Sequence, residues 1–246
     1  MNLSWLTSNF SKEKNKKTTV LKHQVLGTLL NAPLGDCEEE ILFGCGCFWG
    51  AEKGFWKLPG VITTAVGYAG GQTVNPQYKE VCTGNSGHSE VVRVVWNNSI
   101  IDLSDLLKLF WECHDPTQGN RQGNDFGSQY RSAVFTSNPK QTELAIASKV
   151  SYEKKLINKG YDPISTEIKE GVVFYFAENY HQQYLAKPGS RPYCSAMPTN
   201  ISLEEFPNAN FKLPKNIWSN FDWSTKHCVL RSNNNPIEIS LNGEDK

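Results

Sequence analysis

The chain has 246 residues, and its 25 Lys and Arg residues balance its 25 Asp and Glu residues, so the formal net charge is zero. This balance gives no reason to expect nucleic acid or an anionic membrane as a partner. No apolar run approaches the roughly 18 residues that would cross a membrane, and we expect no association with one. Seven cysteines at irregular spacings argue against a secreted disulfide framework and for a reducing compartment.

The two ends of the chain differ in composition from its middle. Residues 1–38 are predicted to form an N-terminal extension that is polar and rich in lysine, without the ordered pattern of a secretory signal. We therefore expect a cytoplasmic protein, and organelle targeting by this extension stays open. Residues 39–195 are predicted to form the main domain of a monomer, and residues 196–246 an irregular tail rich in Pro, Asn and Ser.

Residues 41–43 are predicted to be a buried strand that ends at a glycine-flanked thiol, and a helix follows at once. Gly44 and Gly46 allow the backbone to turn sharply, so that Cys47 lies where the helix begins. The first amides of a helix carry partial positive charge, which biases a thiol there towards thiolate. A cysteine in an apolar segment is more often a small core residue, so both interpretations stay open on these residues alone.

The rest of the chain alternates between strand and helix patterns. β-branched and alternating apolar residues predict strands at 61–68, 89–96 and 132–135 and within 164–176. Helical spacing predicts helices at 51–58, 102–113, 139–159 and 178–184. Polar loops are expected at 72–88 and 115–130. This order predicts the α/β class, as an α+β sandwich with helices packed on a mixed β-sheet, a ferredoxin-like core and a long irregular C-terminal tail.

Several polar residues are candidates for chemistry. Glu90 lies in a strand of valines, where a carboxylate is costly unless it is paired or protonated, so we expect a raised pKa and a proton donor. Tyr78 and Tyr130 lie in polar loops that could direct a phenol at a ligand. Each of these residues could also be structural. By default, Asp125 is a turn residue and His181 lies on the surface of a helix.

The cysteines divide by their context. Cys194 and Cys228 lie in the irregular segment, where a thiol is not needed for packing and could reach a second sulfur. Cys82 and Cys113 lie in apolar or helical contexts and are predicted to be packing residues. Residues 45–47 contain two thiols with a single residue between them, and no second close pair follows, so we expect no zinc or other metal site.

Ten short motifs between residues 39 and 195 resemble those of the A-type peptide-methionine sulfoxide reductases. They are GCFWG at 46–50, FW at 55–56, LPGV at 58–61, GYAGG at 67–71, NPQY at 75–78, GHSEVVR at 87–93, HDPTQ at 114–118, RQGND at 121–125, QYRS at 129–132 and HQQY at 181–184. So many independent motifs in one order are not expected by chance. The resemblance implies that residues 39–195 are the catalytic domain.

The resemblance implies an enzyme that repairs oxidised proteins by reducing the S epimer of methionine sulfoxide, both free and protein-bound. Cys47 would be the thiolate that attacks the sulfoxide sulfur and becomes a sulfenic acid. Glu90, Tyr78 and Tyr130 would hydrogen-bond and protonate the sulfoxide oxygen. These roles agree with the chemistry, because oxygen is a poor leaving group and a positioned acid typically contributes about 10²–10⁴-fold to a rate.

Four further residues match positions around the family's substrate site. Phe48 and Trp49 would form the apolar wall that receives the methyl group on sulfur. Asp125 and His181 would support substrate binding rather than transfer a proton. The resemblance implies no bound cofactor, since thioredoxin would serve as the external reductant.

The recycling cysteines depart from the family pattern. Cys194 follows a tyrosine and matches the family's recycling cysteine, which would form an intramolecular disulfide with Cys47. Many members have a second recycling cysteine shortly afterwards, but residues 195–198 contain none, and the next thiol is Cys228. Two alternatives stay open: Cys228 is a second resolving thiol, or Cys194 acts alone. We assign no role to Cys45.

A second hypothesis comes from a different class of protein. The chain could be a non-catalytic thiol redox sensor, or a binder of oxidised methionine. Release of one methionine per protein under single-turnover conditions separates the enzyme from both.

Overall fold

The computed structural model describes residues 21–225 and 228–239. The expectations for the first 20 residues, which include the lysine-rich part of the N-terminal extension, lie outside the described residues. Within the described ranges, no helix combines the length and the apolar character needed to cross a membrane.

The described chain forms eight strands and six helices, together with two short 3-10 helices at Ser128–Tyr130 and Tyr184–Ala186. The strands are β1 (Glu38–Cys45), β2 (Val61–Ala69), β3 (Ser89–Asn97), β4 (Arg121–Gln122), β5 (Asp125–Phe126), β6 (Ser132–Thr136), β7 (Glu167–Glu170) and β8 (Phe174–Phe176). The helices are α1 (Phe48–Trp56), α2 (Tyr78–Val81), α3 (Leu103–Glu112), α4 (Pro139–Asn158), α5 (Lys215–Trp218) and α6 (Cys228–Arg231).

Six of the strands form one mixed sheet in the order β7-β6-β1-β3-β2-β8. All neighbouring strands are antiparallel except β6 and β7, which are parallel. The order β6-β1-β3-β2, with α1 connecting β1 to β2 and α3 lying between β3 and β6 in the chain, is the split βαβ arrangement of a ferredoxin-like core. The predicted fold class is therefore confirmed.

Alternation along β3 decides which side chains face the helices. Val92 and Val94 point into the main hydrophobic core, whereas Val91 belongs to a smaller cluster on the other face. In the main core, the ring of Phe43 stacks on Phe55 and Phe110 with centroids 4.8 and 5.1 Å apart. Because Glu90 has the same parity as Val92, it lies on the face that α1 covers.

The predicted starts of two long helices match local capping. The Asp102 side chain accepts a hydrogen bond of 2.9 Å from the Ser104 amide at the beginning of α3. The Asn138 side chain accepts one of 3.0 Å from the Gln141 amide, with proline at the first position of α4. The two segments expected to be loops contain short elements, namely α2 and the β4–β5 hairpin.

The predicted helix at 178–184 is wrong. Residues 179–183 form turns, and Gln183 has a left-handed backbone with φ of 46°. The Gln182 side chain bonds to the backbone of Val66 in β2, accepting from its amide at 2.9 Å and donating to its carbonyl at 2.8 Å. The polar Gln182 side chain therefore faces the sheet and not solvent, which the helical pattern of the sequence did not indicate.

The predicted irregular tail wraps on the main domain and completes its core. Leu203, Phe206, Leu213 and Ile217 are buried in the same apolar cluster as the helices of the sheet. Only the short helices α5 and α6 interrupt its irregular backbone among the described tail residues. Apolar burial rather than regular hydrogen bonding therefore holds the tail in place.

Two lysines hold the end of this tail: Lys53 in α1 and Lys57 directly after its last residue. Lys57 Nζ donates to the carbonyls of Asn233 and Asn235 at 3.1 and 2.9 Å and to the side-chain oxygen of Asn233 at 3.1 Å. Lys53 Nζ donates to the Ser232 carbonyl at 2.7 Å. Both lysines are buried, so their ammonium groups depend on these oxygens for solvation.

Candidate active site

The end of β1 and the start of α1 position the candidate nucleophile. Cys47 is the N-cap residue of α1, as predicted. Gly46 has φ of 84°, and a Cβ atom on it would lie 2.6 Å from the Gln122 side chain. Glycine is therefore required here both by backbone conformation and by space.

Seven of the predicted site residues line one open cavity of about 390 Å³. They are Cys47, Phe48, Trp49, Tyr78, Glu90, Asp125 and Tyr130. Three further residues line it that sequence reasoning did not assign to the site: Tyr184, Arg191 and Tyr193. Tyr184 lies in the quoted HQQY motif and Tyr193 precedes a candidate cysteine, so the motifs contained a signal for both.

Glu90 lies on the floor of this cavity, where the core excludes water. Its Oε2 accepts a hydrogen bond of 3.1 Å from the Phe48 amide. Burial raises the pKa of the Glu90 carboxyl to about 8, which outweighs the lowering effect of that hydrogen bond. At neutral pH, the carboxyl therefore carries a proton that it can donate.

The resting state of Cys47 differs from the expectation. Burial raises the pKa of its thiol well above the ordinary value, the Glu90 carboxyl raises it further, and the Trp49 amide at the helix start lowers it. Desolvation outweighs the helix terminus, because the side chain is only 8% exposed. The thiol is therefore protonated in the free protein, and the predicted bias towards thiolate is wrong there.

Two phenols face the same space. Burial raises the pKa of Tyr78 and of Tyr130 above their ordinary values, and the Glu90 carboxyl contributes to both shifts. Both hydroxyls therefore stay protonated and can donate hydrogen bonds. Tyr78 begins α2, and its amide donates to a Glu178 oxygen at 2.8 Å, which fixes the segment that carries the ring.

Aromatic rings form one wall of the cavity. The ring of Trp49 stacks on Tyr184 with centroids 3.8 Å apart, and its Nε1 donates to His181 Nδ1 at 3.2 Å. The His181 ring also lies 5.2 Å from that of Phe48 and 4.5 Å from that of Tyr78. This wall presents an apolar surface beside the sulfur of the nucleophile.

His181 lies inside the protein, so its default placement on a helix surface is wrong. Burial lowers the pKa of its ring to about 4, and the imidazole is neutral at pH 7. Because Nδ1 accepts a hydrogen bond from Trp49, the ring proton is assigned to Nε2. His181 therefore orients the indole instead of lining the cavity.

A buried carboxyl of α1 fixes the turn that carries His181. Glu52 accepts hydrogen bonds from the Thr64 hydroxyl at 3.1 Å and from the amide and side chain of Gln183 at 2.9 and 2.7 Å. Burial raises the pKa of Glu52 to about 7. His23, in the described part of the N-terminal extension, bonds to the same Thr64 hydroxyl at 2.9 Å.

Asp125 connects the cavity to the segment that carries the second candidate thiol. It lies in β5 and not in a turn. Its Oδ1 accepts a hydrogen bond of 2.5 Å from the Tyr193 hydroxyl, and Cys194 is the next residue in the chain. The other oxygen, Oδ2, is buried without a hydrogen-bond partner among the described residues.

The two candidate recycling cysteines do not line the active-site cavity. Cys194 lies behind α1, where a Cβ atom on Gly50 would be 2.6 Å from its sulfur. Cys194 and Cys228 both border a separate small cavity, together with Cys45 and Cys113. Burial raises the pKa of the Cys194 and Cys228 thiols to about 11. Proximity of these four thiols was not predicted.

The prediction that Cys82 and Cys113 are packing residues holds for one of the two. Cys113 is buried as predicted, but Cys82 is exposed beyond the end of α2, so its assignment as a packing residue is wrong. All seven cysteines are free thiols. The short helix α2 leaves the side chain of Cys82 on the outside, which its apolar neighbours did not reveal.

Among residues 21–225 and 228–239, one group of three side chains has the proximity of a metal site. The sulfur atoms of Cys45 and Cys113 and a ring nitrogen of His114 lie within 4.8 Å of one another. However, His114 Nδ1 is 2.7 Å from the Phe110 carbonyl oxygen, to which it can only donate, and the lone pair on Nε2 then accepts from the Ser132 hydroxyl at 2.8 Å. The group therefore presents two thiols and no free imidazole lone pair.

The comparisons with known proteins agree with one another. Residues 39–213 match the family model described as peptide methionine sulfoxide reductase. A mitochondrial peptide methionine sulfoxide reductase of Homo sapiens is 51% identical over 189 residues, which cover 77% of this chain and 80% of that protein. Peptide methionine sulfoxide reductase MsrA of Rhodospirillum centenum is 53% identical over 182 residues, which cover 73% of this chain and 82% of that protein.

A solved structure supports the same assignment. Methionine sulfoxide reductase A of Corynebacterium diphtheriae superposes with a TM-score of 0.66 and is 44% identical, covering 74% of this chain and 89% of that chain. The family model spans more than half of the sequence, and the relatives exceed half identity over most of their own length. The chain therefore belongs to the peptide methionine sulfoxide reductase family.

Proposed function

We propose that this enzyme reduces the S epimer of methionine sulfoxide, free or within proteins, through a sulfenic acid on Cys47. The observation that carries the proposal is the convergence of the Cys47 thiol, a neutral Glu90 carboxyl and two phenols in one cavity. A nucleophile alone would fit many reactions. A nucleophile beside three donors fits a substrate whose oxygen must be protonated as its sulfur is attacked.

In the first step, the Cys47 sulfur attacks the sulfoxide sulfur. Glu90 donates its proton to the sulfoxide oxygen, and the thiol proton of Cys47 replaces it on the carboxyl. The phenols of Tyr78 and Tyr130 donate hydrogen bonds to the same oxygen, on which negative charge develops. The attack forms a bond between the two sulfurs, with the hydroxyl still on the substrate sulfur. The hydroxyl then moves to the Cys47 sulfur as the sulfur–sulfur bond breaks, so methionine leaves as a thioether, Cys47 becomes a sulfenic acid, and the thiol is oxidised as the sulfoxide is reduced.

Proton transfer within the site explains how Cys47 can act as a nucleophile although its pKa is raised. A protonated thiol is a weak nucleophile, and burial keeps the Cys47 thiol protonated in the free protein. The sulfoxide brings a dipolar oxygen that takes up the proton of Glu90, so the thiol proton gains an acceptor only when substrate is bound. The nucleophile is therefore activated by its substrate, which limits reactions of the resting thiol with other electrophiles.

Selection of one epimer follows from three directional contacts around the sulfur. Its methyl group would face the wall of Phe48 and Trp49, its oxygen the donors, and its backside Cys47. Exchanging methyl and oxygen would put the oxygen against an apolar ring and leave Glu90 without a partner, which costs binding energy. Asp125 and His181 support this arrangement, the first through Tyr193 and the second through Trp49.

In the second step, Cys194 attacks the sulfur of the sulfenic acid, and water leaves as a Cys47–Cys194 disulfide forms. A dithiol protein of the thioredoxin type then reduces this disulfide, and no bound cofactor is needed. Cys228 is a candidate second resolving thiol, because it borders the same small cavity as Cys194. In that route Cys228 attacks Cys194, which releases Cys47 and leaves a Cys194–Cys228 disulfide in the tail.

The assignment is tested with the two enantiomers of a methyl aryl sulfoxide, in the presence of thioredoxin and its reductase. We expect the wild-type protein to consume the S enantiomer alone, and Cys47→Ser to form no product. Cys37→Ser is the matched control, since Cys37 is an exposed thiol outside the cavity. Binding of the sulfoxide without release of thioether by the wild-type protein would instead favour a sensor or binder.

The oligomeric state and the cellular location of the enzyme are also part of the proposal. We propose repair of oxidised proteins by a monomer in the cytoplasm, with residues 1–38 as an alternative organelle address, since a curated relative is named mitochondrial. Size-exclusion chromatography with light scattering tests the monomer. A fluorescent fusion with and without residues 1–38 tests the address, and an unchanged location would leave the extension without a targeting role.

A further inference from the structure

A small apolar cavity behind α1 is bordered by four thiols. Its volume is about 20 Å³, which is room for about one water molecule. The thiols belong to Cys45 at the end of β1, Cys113 after α3, and Cys194 and Cys228 in the tail. Its other walls include Leu109 and Val229, so the thiols face one another across a largely apolar space.

Two of these thiols form a close pair with no part in the proposed catalysis. The sulfur atoms of Cys45 and Cys113 lie within 4.8 Å of each other, and both side chains are buried. A disulfide needs the two sulfurs at about 2.05 Å, which side-chain rotation can reach from such a separation when the Cβ atoms are suitably placed. Residue 45 immediately precedes the glycine before the nucleophile, so the pair lies at the base of the active site.

The electrostatics agree with mutual proximity of all four sulfurs. A hydrogen bond to Cys45 and burial raise the pKa of Cys113, and the neighbouring His114 lowers it. Beyond burial, Cys113 also raises the pKa of Cys194 and of Cys228. Thiols that stay protonated exchange slowly with disulfides, so any exchange into this pair is slower than reduction by an abundant external dithiol.

We propose that Cys45 and Cys113 form an internal dithiol store that takes over the disulfide left by catalysis when external reductant is scarce. The proposal rests on the proposed function, because the Cys47–Cys194 disulfide supplies the oxidising equivalents. The store lets the enzyme complete one further reduction without a partner protein.

The transfer is a pair of thiol–disulfide exchanges. Cys113 attacks the Cys194 sulfur of the Cys47–Cys194 disulfide, so a Cys113–Cys194 bond forms, the Cys47–Cys194 bond breaks, and Cys47 takes up the thiol proton. Cys45 then attacks the Cys113 sulfur, which forms the Cys45–Cys113 disulfide and releases Cys194 with the second proton. Two thiols are oxidised and two are regenerated, without any other oxidant.

Both exchanges are reversible. An external dithiol that reduces the Cys47–Cys194 disulfide therefore draws the stored oxidising equivalents back through Cys194 and restores the Cys45 and Cys113 thiols. The external dithiol needs no direct access to Cys45 and Cys113, since Cys194 connects this buried pair to the active site. Burial thereby shields the store from solution oxidants while leaving it open to the enzyme's own disulfide.

The store is tested by counting methionine released from excess methionine sulfoxide by fully reduced protein without any reductant. Cys228→Ser is the starting variant, because it removes the alternative tail route. We expect about two methionines per Cys228→Ser protein and about one per Cys113→Ser/Cys228→Ser protein. Mass spectrometry of the first variant should find the Cys45–Cys113 disulfide after the second release.

Matched variants separate the outcomes. Cys37→Ser/Cys228→Ser lacks an exposed thiol and should still release about two methionines. Cys45→Ala/Cys228→Ala cannot carry out the second exchange, so mass spectrometry should find the Cys113–Cys194 disulfide of the first exchange in place of the Cys45–Cys113 disulfide. A single methionine from Cys228→Ser, or a second one that survives loss of Cys113, overturns the store. Absence of even the first methionine from every protein would instead reject the proposed function.

Discussion

The Phe48 amide donates a hydrogen bond of 3.1 Å to Glu90 Oε2, which ties the candidate acid on β3 to the first turn of the helix that begins at Cys47. One contact thus fixes the separation of nucleophile and acid. The remaining carboxyl oxygen stays free to hold the proton that the reaction requires. A rigid strand and a rigid helix, not a loop, therefore set the geometry of the two groups.

Removal of the acid should affect chemistry more than binding. Glu90→Gln keeps the shape of the side chain and can still donate a hydrogen bond, but it cannot transfer a proton. We expect kcat to fall about 10²–10⁴-fold, with a smaller change in KM. Rapid-quench measurement of the first methionine released checks this. A rate within a factor of three of wild type would show that another group protonates the sulfoxide oxygen.

The buried acids should also make stability depend on pH. Burial raises the pKa of Glu90 to about 8 and of Glu52 to about 7, so the stability they contribute is present below about 4.5 and is lost as pH rises towards 8. His23 and His181, with pKa values lowered to about 4, act in the opposite sense below pH 6.5. The window from 6.5 to 8 therefore isolates the acids.

Chemical denaturation across that window gives the measurement. Each acid should change the free energy of unfolding by up to about 1.4 kcal/mol per pH unit, in the pH range where it is protonated in the folded protein and ionised in the unfolded chain. We expect Glu90→Gln to lose about 2 kcal/mol less than wild type between pH 6.5 and 8. Parallel curves for the two proteins would mean that Glu90 is not protonated in the fold.

Gly50 should be required for recycling and not for the first turnover. A Cβ atom at this position would lie 2.6 Å from the Cys194 sulfur, so Gly50→Ala must displace the second thiol. Gly54→Ala, one turn later on α1, is the control, since its Cβ would meet Leu109 at an ordinary 3.6 Å. We expect single-turnover release unchanged in both and at least tenfold slower disulfide formation in Gly50→Ala alone. Equal recycling rates would argue against the observed position of Cys194.

Glu52 should position the aromatic wall. Three donors converge on its carboxyl, so Glu52→Gln would turn an amide N–H towards one of them. We expect a loss of about 1–3 kcal/mol of stability and a KM that rises more than kcat falls, because the turn from Gln183 to His181 loosens. An unchanged KM in Glu52→Gln would leave the residue with a structural role only.

Lys57, which with Lys53 forms the lysine clamp on residues 232–235, should hold the end of the tail. Lys57→Met keeps the apolar stem but removes hydrogen bonds to two carbonyls and a side chain. We expect faster cleavage by protease near residues 232–237 and a loss of about 1–3 kcal/mol of stability. Lys140→Met, at an exposed position of α4, is the control and should leave both unchanged. Equal cleavage of the two variants would show that tail burial suffices without the clamp.

Local patterns were enough to predict most of the fold. Alternating valines specified β3, and the glycine-flanked thiol specified the start of α1. The segment at 178–184 was misread because the Gln182 side chain bonds to β2, a contact between distant parts of the chain that helical periodicity cannot reveal. Prediction of secondary structure from sequence fails where a polar side chain bonds to the backbone of a distant strand and not to water.

The candidate site was predictable to a different extent. Motifs identified seven side chains that line the cavity, but composition could not reveal how strongly burial acts on Cys47. The proximity of Cys45 to Cys113 depends on the packing of β1 against α3, 68 positions apart in the chain. Protonation states and long-range thiol pairs are properties of the packed core, so they follow from the structure alone.

The hydrogen bond between Tyr193 and Asp125 joins the tail to the substrate cavity, one residue before Cys194. Any approach of that sulfur to the nucleophile therefore pulls on a group beside the departing product. Through this single contact, we expect the position of the second thiol to depend on what the cavity contains.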